Sequence, residues 1–161
     1  MSRARLISGF CGLVAVLVVS GCGAAEKLNP TGVLKRPLRL DVHIDNNANS
    51  DSPVAVDLVS VNDKDLAKDL AKMTASDWFQ KRDQIREDNP KAADITVMKS
   101  WEWVPGQVIG TLQIPMKKKP RALLIFANYG TPGPHRAKID PSITQEVALN
   151  RDDLKVQPLA K

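Results

Sequence analysis

"PLRLDVHID", residues 37–45, alternates apolar and polar side chains without a break. Leu38, Leu40, Val42 and Ile44 fall on one side; Arg39, Asp41, His43 and Asp45 fall on the other. A period of two is the signature of a strand with one buried face. Next comes "NNANSDSP" (46–53), a polar loop closed by Pro53. "VAVDLVSV" (54–61) is β-rich again, with Val54, Val56 and Leu58 sharing a face. Two strands joined by a short loop predict an antiparallel hairpin.

The period then changes. "KDLAKDLAKM" (64–73) places Leu66, Ala67, Leu70 and Ala71 on one helical stripe, with Asn62 or Asp63 available as its cap. Thr74 and Asp77 have the spacing of a capping box. The helix they open runs through "DWFQKRDQIRED" and must stop near Asn89-Pro90. A helical insertion of about 63–89 is therefore predicted. Trp78, Phe79, Arg82 and Ile85 occupy adjoining positions on it, and the Trp-Phe pair is expected to plug the core.

Strand patterns follow. In "ITVMKSWEW" (95–103), Val97, Lys99, Trp101 and Trp103 alternate onto one side. Pro105-Gly106 signals a turn before "QVIGTLQI" (107–114). "RALLIFANY" (121–129) is continuously apolar and reads as a central strand buried on both faces. "GTPGP" (130–134) turns the chain, "HRAKID" can pair back, "ITQEVALN" alternates again, and "LKVQP" adds a last edge. Seven or eight short strands with turn signals between them predict a β-sandwich or barrel.

The chain opens differently. Arg3 and Arg5 precede the apolar run "LISGFCGLVAVLVV" (6–19), which is shorter than the roughly 20 residues of a membrane-spanning helix. Ser20-Gly21 then gives way to Cys22. This arrangement resembles a bacterial lipobox, which implies a cleaved signal over 1–21 and acyl chains, palmitate among them, on Cys22. An ordinary signal peptide with an incidental cysteine is the other reading. Gly23 stands where many enteric lipoproteins carry an inner-membrane retention Asp, so the resemblance points to the outer membrane, periplasmic side. Residues 22–36 show no sustained periodicity and read as an acylated tether to a domain over 37–161. Cys11 leaves with the signal, so no disulfide is expected.

Formal net charge is +5, two units of it in the signal arginines, and the rest is spread along the chain. Nucleic acid is a poor match to that distribution. Lys117-Lys118-Lys119 is the one dense basic run. It is expected in a solvated hairpin loop, with contact to a membrane surface or a partner as its other use.

Several chemistries fail on spacing. Asp45, Asn47 and Asn49 match the first, third and fifth positions of a calcium loop, but Ser50 and Val56 stand where Gly and Glu are needed. His43 and His135 have no ligand partners at metal spacing and are expected to be solvated. No G-x-S-x-G surrounds Ser60 or Ser100. The prolines of "GTPGP" remove amides that a phosphate loop needs. No enzyme, cofactor or metal is predicted.

The order of elements resembles the TssJ lipoproteins of bacterial type VI secretion systems. The lipobox, the tether, the Asn-rich loop ending in Ser52-Pro53-Val54, Asp77-Trp78-Phe79, Pro105-Gly106-Gln107 and Ile125 to Tyr129 all resemble that family's pattern. His135-Arg136 departs from it, standing where the family often has Trp-Arg. The first loop is also shorter than is common and lacks the family's frequent Asp-Gly. The resemblance implies a transthyretin-like two-sheet β-sandwich with a short helical insertion between the second and third strands. It also implies an outer-membrane lipoprotein that binds the periplasmic C-terminal domain of TssM, in a trans-envelope complex with TssL. Carried over, the contact lies in the loop Asp45 to Ser52, with Asn46, Asn47, Asn49 and Asp51 as partner-binding residues. Two alternatives stand beside it. One is a pilotin or assembly lipoprotein of another envelope machine. The other is a periplasmic module in which Trp78, Trp101 and Trp103 line a glycan or lipid cleft.

Overall fold

The computed structural model describes residues 36–91 and 94–159. The predicted signal (1–21), Cys22 and all of the predicted tether but Arg36 lie outside the described residues. Eight strands and two helices follow in the order β1 (Leu38–Ile44), β2 (Val54–Val61), α1 (Lys64–Leu70), α2 (Ala75–Asp88), β3 (Ile95–Trp103), β4 (Gly110–Ile114), β5 (Ala122–Asn128), β6 (Arg136–Lys138), β7 (Gln145–Leu149) and β8 (Leu154–Pro158). They form two four-stranded sheets, ordered β4-β1-β7-β8 and β3-β2-β5-β6. All pairings are antiparallel except β1 with β7. The two-sheet sandwich expected from the sequence is present, with both helices between the second and third strands.

The first pairing differs from expectation. β1 is flanked by β4 and β7 in one sheet, while β2 lies between β3 and β5 in the other. The loop between β1 and β2 is therefore a crossover, not a hairpin turn. Both strands carry an apolar face, and the two faces meet across the core: Leu38, Leu40, Val42 and Ile44 share a cluster with Val54, Val56 and Leu58. Side-by-side pairing would have placed both faces on the same side with nothing opposite. Residues 115–121 likewise carry the chain from β4 to β5 across the sheets, so Lys117–Lys119 are exposed but form no hairpin.

β2 and β5 are buried on both faces because the helices cover the outside of their sheet. Leu123, Ile125 and Ala127 face the other sheet, and Leu124 and Phe126 face the helices. β3 carries a bulge. Leu58 pairs with Lys99 and Val59 with Val97, which leaves Met98 as the extra residue. The bulge separates residues that plain alternation had put together: Ile95 and Val97 join the helix-side cluster, and Trp101 and Trp103 join the inter-sheet one.

Asp63 caps α1, its Oδ1 accepting from the amides of Asp65 and Leu66 at 3.0 and 2.8 Å. Thr74 Oγ1 accepts from the Asp77 amide at 3.1 Å and donates to Asp77 Oδ2 at 2.7 Å. The box thus closes through its two side chains. Of the Trp78-Phe79 pair expected to plug the core, Trp78 is fully buried and stacks on Phe126 with centroids 5.0 Å apart, while Phe79 is only partly buried, with Arg82 over its ring. Trp78 Nε1 donates to Asp57 Oδ2 at 2.9 Å, Arg82 Nη1 donates to the same oxygen at 2.8 Å, and Ser100 Oγ donates to Oδ1 at 2.6 Å. One buried carboxylate therefore ties α2 and β3 to β2.

Candidate partner-binding site

Four loops meet at one end of the sandwich: β1–β2 (45–53), β3–β4 (104–109), β5–β6 (129–135) and β7–β8 (150–153). The first has an unusual backbone. Asn49, Ser50 and Asp51 take φ values of +47°, +51° and +65°, three successive left-handed residues. Each such residue costs about 1 kcal/mol or more, least for Asn and Asp, so surrounding structure must hold the segment.

Asn49 is what holds it. The residue is 8% exposed. Nδ2 donates to the Pro53 carbonyl at 2.9 Å, and Oδ1 accepts from the Gly130 amide at 2.7 Å. The amides of Asn49 and Ser50 donate to the carbonyls of Asn150 and Arg151 at 3.3 and 3.2 Å. Ala48, fully buried, anchors the loop in the inter-sheet core. Asn46, Asn47 and Asp51 point to solvent. Of the four residues singled out in the sequence, three form an exposed set and Asn49 is the brace beneath them. Its amide is engaged on both sides.

The β3–β4 loop packs against this one. Gly106 donates its amide to the Asp45 carbonyl at 3.0 Å and has φ +71°, which favours glycine. A Cβ there would stand 2.6 Å from Asn46 Oδ1. Further along, Val104 and Val108 are 48% and 95% exposed, a feature the sequence reading missed. "QVIG" looked like strand, but Gln107 Oε1 accepts from the Val104 amide at 3.1 Å and β4 begins only at Gly110. This shifts Val108 from a strand face to a loop tip.

His135 is the clearest reversal, because it is 3% exposed where a solvated ring was expected. Its Nδ1 lies 2.9 Å from Asp153 Oδ1 and its Nε2 lies 2.7 Å from the Thr131 carbonyl. The ring stacks on Tyr129 at 4.9 Å. Gly133 admits it, since a Cβ there would approach the ring within 2.7 Å. Tyr129 Oη donates to the Asn150 carbonyl at 3.0 Å, and Thr131 Oγ1 donates to that of Asp152 at 2.9 Å. Burial, then the charges of Asp153, Asp45 and Asp152, push the Tyr129 hydroxyl well above the usual phenol range. His43 remains exposed, 3.1 Å from Asp45 Oδ1.

This end is a rigid, laced platform with a mildly acidic, amide-rich rim and two exposed valines. Among the described residues, no group of three His, Cys, Asp or Glu side chains is arranged to hold a metal ion. The tryptophans do not make a sugar platform: Trp78 and Trp103 are 0% and 3% exposed, and partly buried Trp101 stacks on Trp103 at 5.0 Å.

Among solved structures, the chain is similar to the type VI secretion lipoprotein TssJ1 from Pseudomonas aeruginosa. The TM-score is 0.56 at 17% identity, over 78% of this chain and 98% of that one. Serratia marcescens Lip, a membrane-bound component of the type VI secretion system, gives 0.55 at 13% identity, over 80% of this chain and all of the other. A chain in a structure of the type VI secretion protein TssM C-terminal domain from EAEC gives 0.55 at 14% identity, over 77% and 99%. No family model and no curated protein sequence matches the chain. Identities this low speak for architecture. The chain has the β-sandwich fold of these type VI secretion proteins.

Proposed function

We propose that this chain is a TssJ-like lipoprotein, anchored in the outer membrane through acyl chains on Cys22. Its loop end docks the periplasmic C-terminal domain of a TssM-like inner-membrane protein, in a trans-envelope complex that also contains TssL. It works as a scaffold and performs no chemistry. Fold alone does not assign function. The observation that carries this reading is the braced left-handed loop at 49–51, which presents Asn46, Asn47 and Asp51 on one rim. Strained residues held by surrounding structure cluster in binding and catalytic loops. The likeness to a chain in a TssM C-terminal domain structure supports the choice of partner.

The physics of docking follows from the brace. A loop already fixed by Asn49, Asn150 and Arg151 loses little backbone entropy on binding. Short amides supply hydrogen bonds without freezing long side chains. Val104 and Val108 supply the apolar area that such amides lack. A standard contact covers about 800 Å² per partner, more than one loop presents, so the β3–β4 loop is expected to take part.

Calorimetric titration of residues 23–161 with the periplasmic C-terminal domain of TssM from the same genome tests the proposal. Binding at micromolar affinity or tighter is expected. The triple change Asn46→Ala, Asn47→Ala, Asp51→Gly should weaken it at least tenfold without altering the fold, since all three side chains are exposed and glycine tolerates the left-handed backbone at 51. No binding by the folded wild-type domain would overturn the docking role.

A further inference from the structure

The opposite end of the sandwich carries the opposite charge. It is formed by the start of β1, the end of β4, the 115–121 crossover and the 139–144 connection. Lys117, Lys118 and Lys119 are exposed there, joined by Arg36, Arg39 and Lys138. Arg121 adds a seventh cation, its Nε donating to the Asn62 carbonyl at 3.3 Å. These residues are scattered over a hundred positions of sequence, and the strand order gathers them. Asp140 stands among them, its carboxyl held low by Ser142 and then by Lys119 and Lys138. Toward the helices the patch meets Asp63 beside Arg121, and Asp94, whose carbonyl accepts from the Asn62 amide at 2.8 Å. Basic charge dominates what remains.

Apolar side chains lie within the same surface. Ile143 and Leu159 are 43% and 41% exposed. A groove of about 400 Å³, lined by Met98, Ile114, Met116, Lys117 and Lys118 among others, opens where β3 nears the end of β4, and Ile143 lines a separate one with Arg36 and Arg39. The loop end, by contrast, carries Asp45, Asp51, Asp152 and Asp153 against Arg151. A seven-residue strand such as β1 spans about 23 Å. That exceeds the roughly 8 Å screening length at physiological salt, so the two ends act as separate electrostatic surfaces.

Arg36, the first described residue, lies at the basic end, so the chain from Cys22 enters the domain there. Resting on the lipid-anchor reading of Cys22, we infer that the basic end is a second membrane contact. Lys117, Lys118 and Lys119, with Arg36, Arg39 and Lys138, seat the domain on anionic phospholipid headgroups and leave the loop end facing away. Charge complementarity and the position of Arg36 select a lipid surface as the occupant. The exposed Ile143 and Leu159 suit the apolar part of a headgroup layer. The repelled acidic end gives the seating a direction. One acyl-anchored tether fixes distance only, whereas this contact also fixes orientation.

Residues 23–161, without acyl chains, would be sedimented with vesicles of phosphatidylethanolamine alone or with one third phosphatidylglycerol. A basic residue near an anionic surface contributes roughly fivefold in partitioning. Binding to the anionic vesicles should exceed that to neutral ones at least tenfold and disappear in high salt. The triple reversal Lys117→Glu, Lys118→Glu, Lys119→Glu should remove it. An equal reversal elsewhere, Lys68→Glu, Lys72→Glu, Lys155→Glu, should leave most of it. Equal binding to both vesicle types overturns the inference, as does equal loss in the two triple variants. Titration of the Lys117–Lys119 variant with the TssM domain separates the two proposals. Unchanged affinity is expected, and lost affinity with vesicle binding intact would move the lysines to the partner interface instead.

Discussion

Asp57 interrupts an apolar strand, is 1% exposed, and gathers donors from Trp78, Arg82 and Ser100. Removing it strands a buried indole N–H and a half-covered guanidinium. Breaking one side of such a group costs about 3 kcal/mol or more. Asp57→Ala should therefore lower the unfolding free energy by about 3 kcal/mol in urea titration, while Ser100→Ala costs about 1 kcal/mol. A loss under 1 kcal/mol for Asp57→Ala would mean the carboxylate is not the tie described. The sequence showed Asp57 only as the polar member of an alternating strand. Its donors lie 21, 25 and 43 residues away, a separation that local pattern does not encode. Asn49 was legible as a site residue for a related reason: its loop was recognisable, but its bond to Gly130, 81 residues on, was not. That bond makes Asn49 the buried brace of the loop, beneath the exposed Asn46, Asn47 and Asp51. His135 changed from solvated to buried because Thr131 of its own loop and Asp153 of the β7–β8 loop close over it.

At the scale of elements, the periodic segments were readable and the places where periodicity breaks were not. β1, the two helices and β5 follow from apolar spacing and caps. The bulge at Met98 needs the register against β2, and with it the fate of Trp101 and Trp103. Sheet partners were also hidden, since a crossover and a hairpin loop can share one composition. The helical insertion makes its own prediction. Accepting the Leu66 amide holds the Asp63 carboxyl below its ordinary value of 3.8, and the Thr74 hydroxyl followed by Lys81 does the same for Asp77. A carboxyl lowered in the folded state stabilises the fold above its unfolded value, and that contribution is lost as pH falls through the folded one. Urea midpoints measured from pH 5 downward should therefore fall below pH 3.8. The decline should be shallower for Asp63→Asn, which keeps a capping oxygen but cannot titrate. An unchanged acid slope in that variant would remove Asp63 from the account.

At the scale of the domain over 36–159, the sandwich has two ends of unlike character. Net charge read along the chain looked dispersed, and only the fold sorts it into a basic end at Arg36 and an acidic rim at the loops. On the function proposed above, membrane contact and partner contact are separated by the length of one strand. Hydrogen exchange on residues 23–161, with and without the TssM periplasmic domain, tests that division most directly. Slowed exchange is expected at 45–53 and 104–109 alone, with 115–121 and both helices unchanged. Protection centred on 115–121 or on α2, with the loop end untouched, would contradict it.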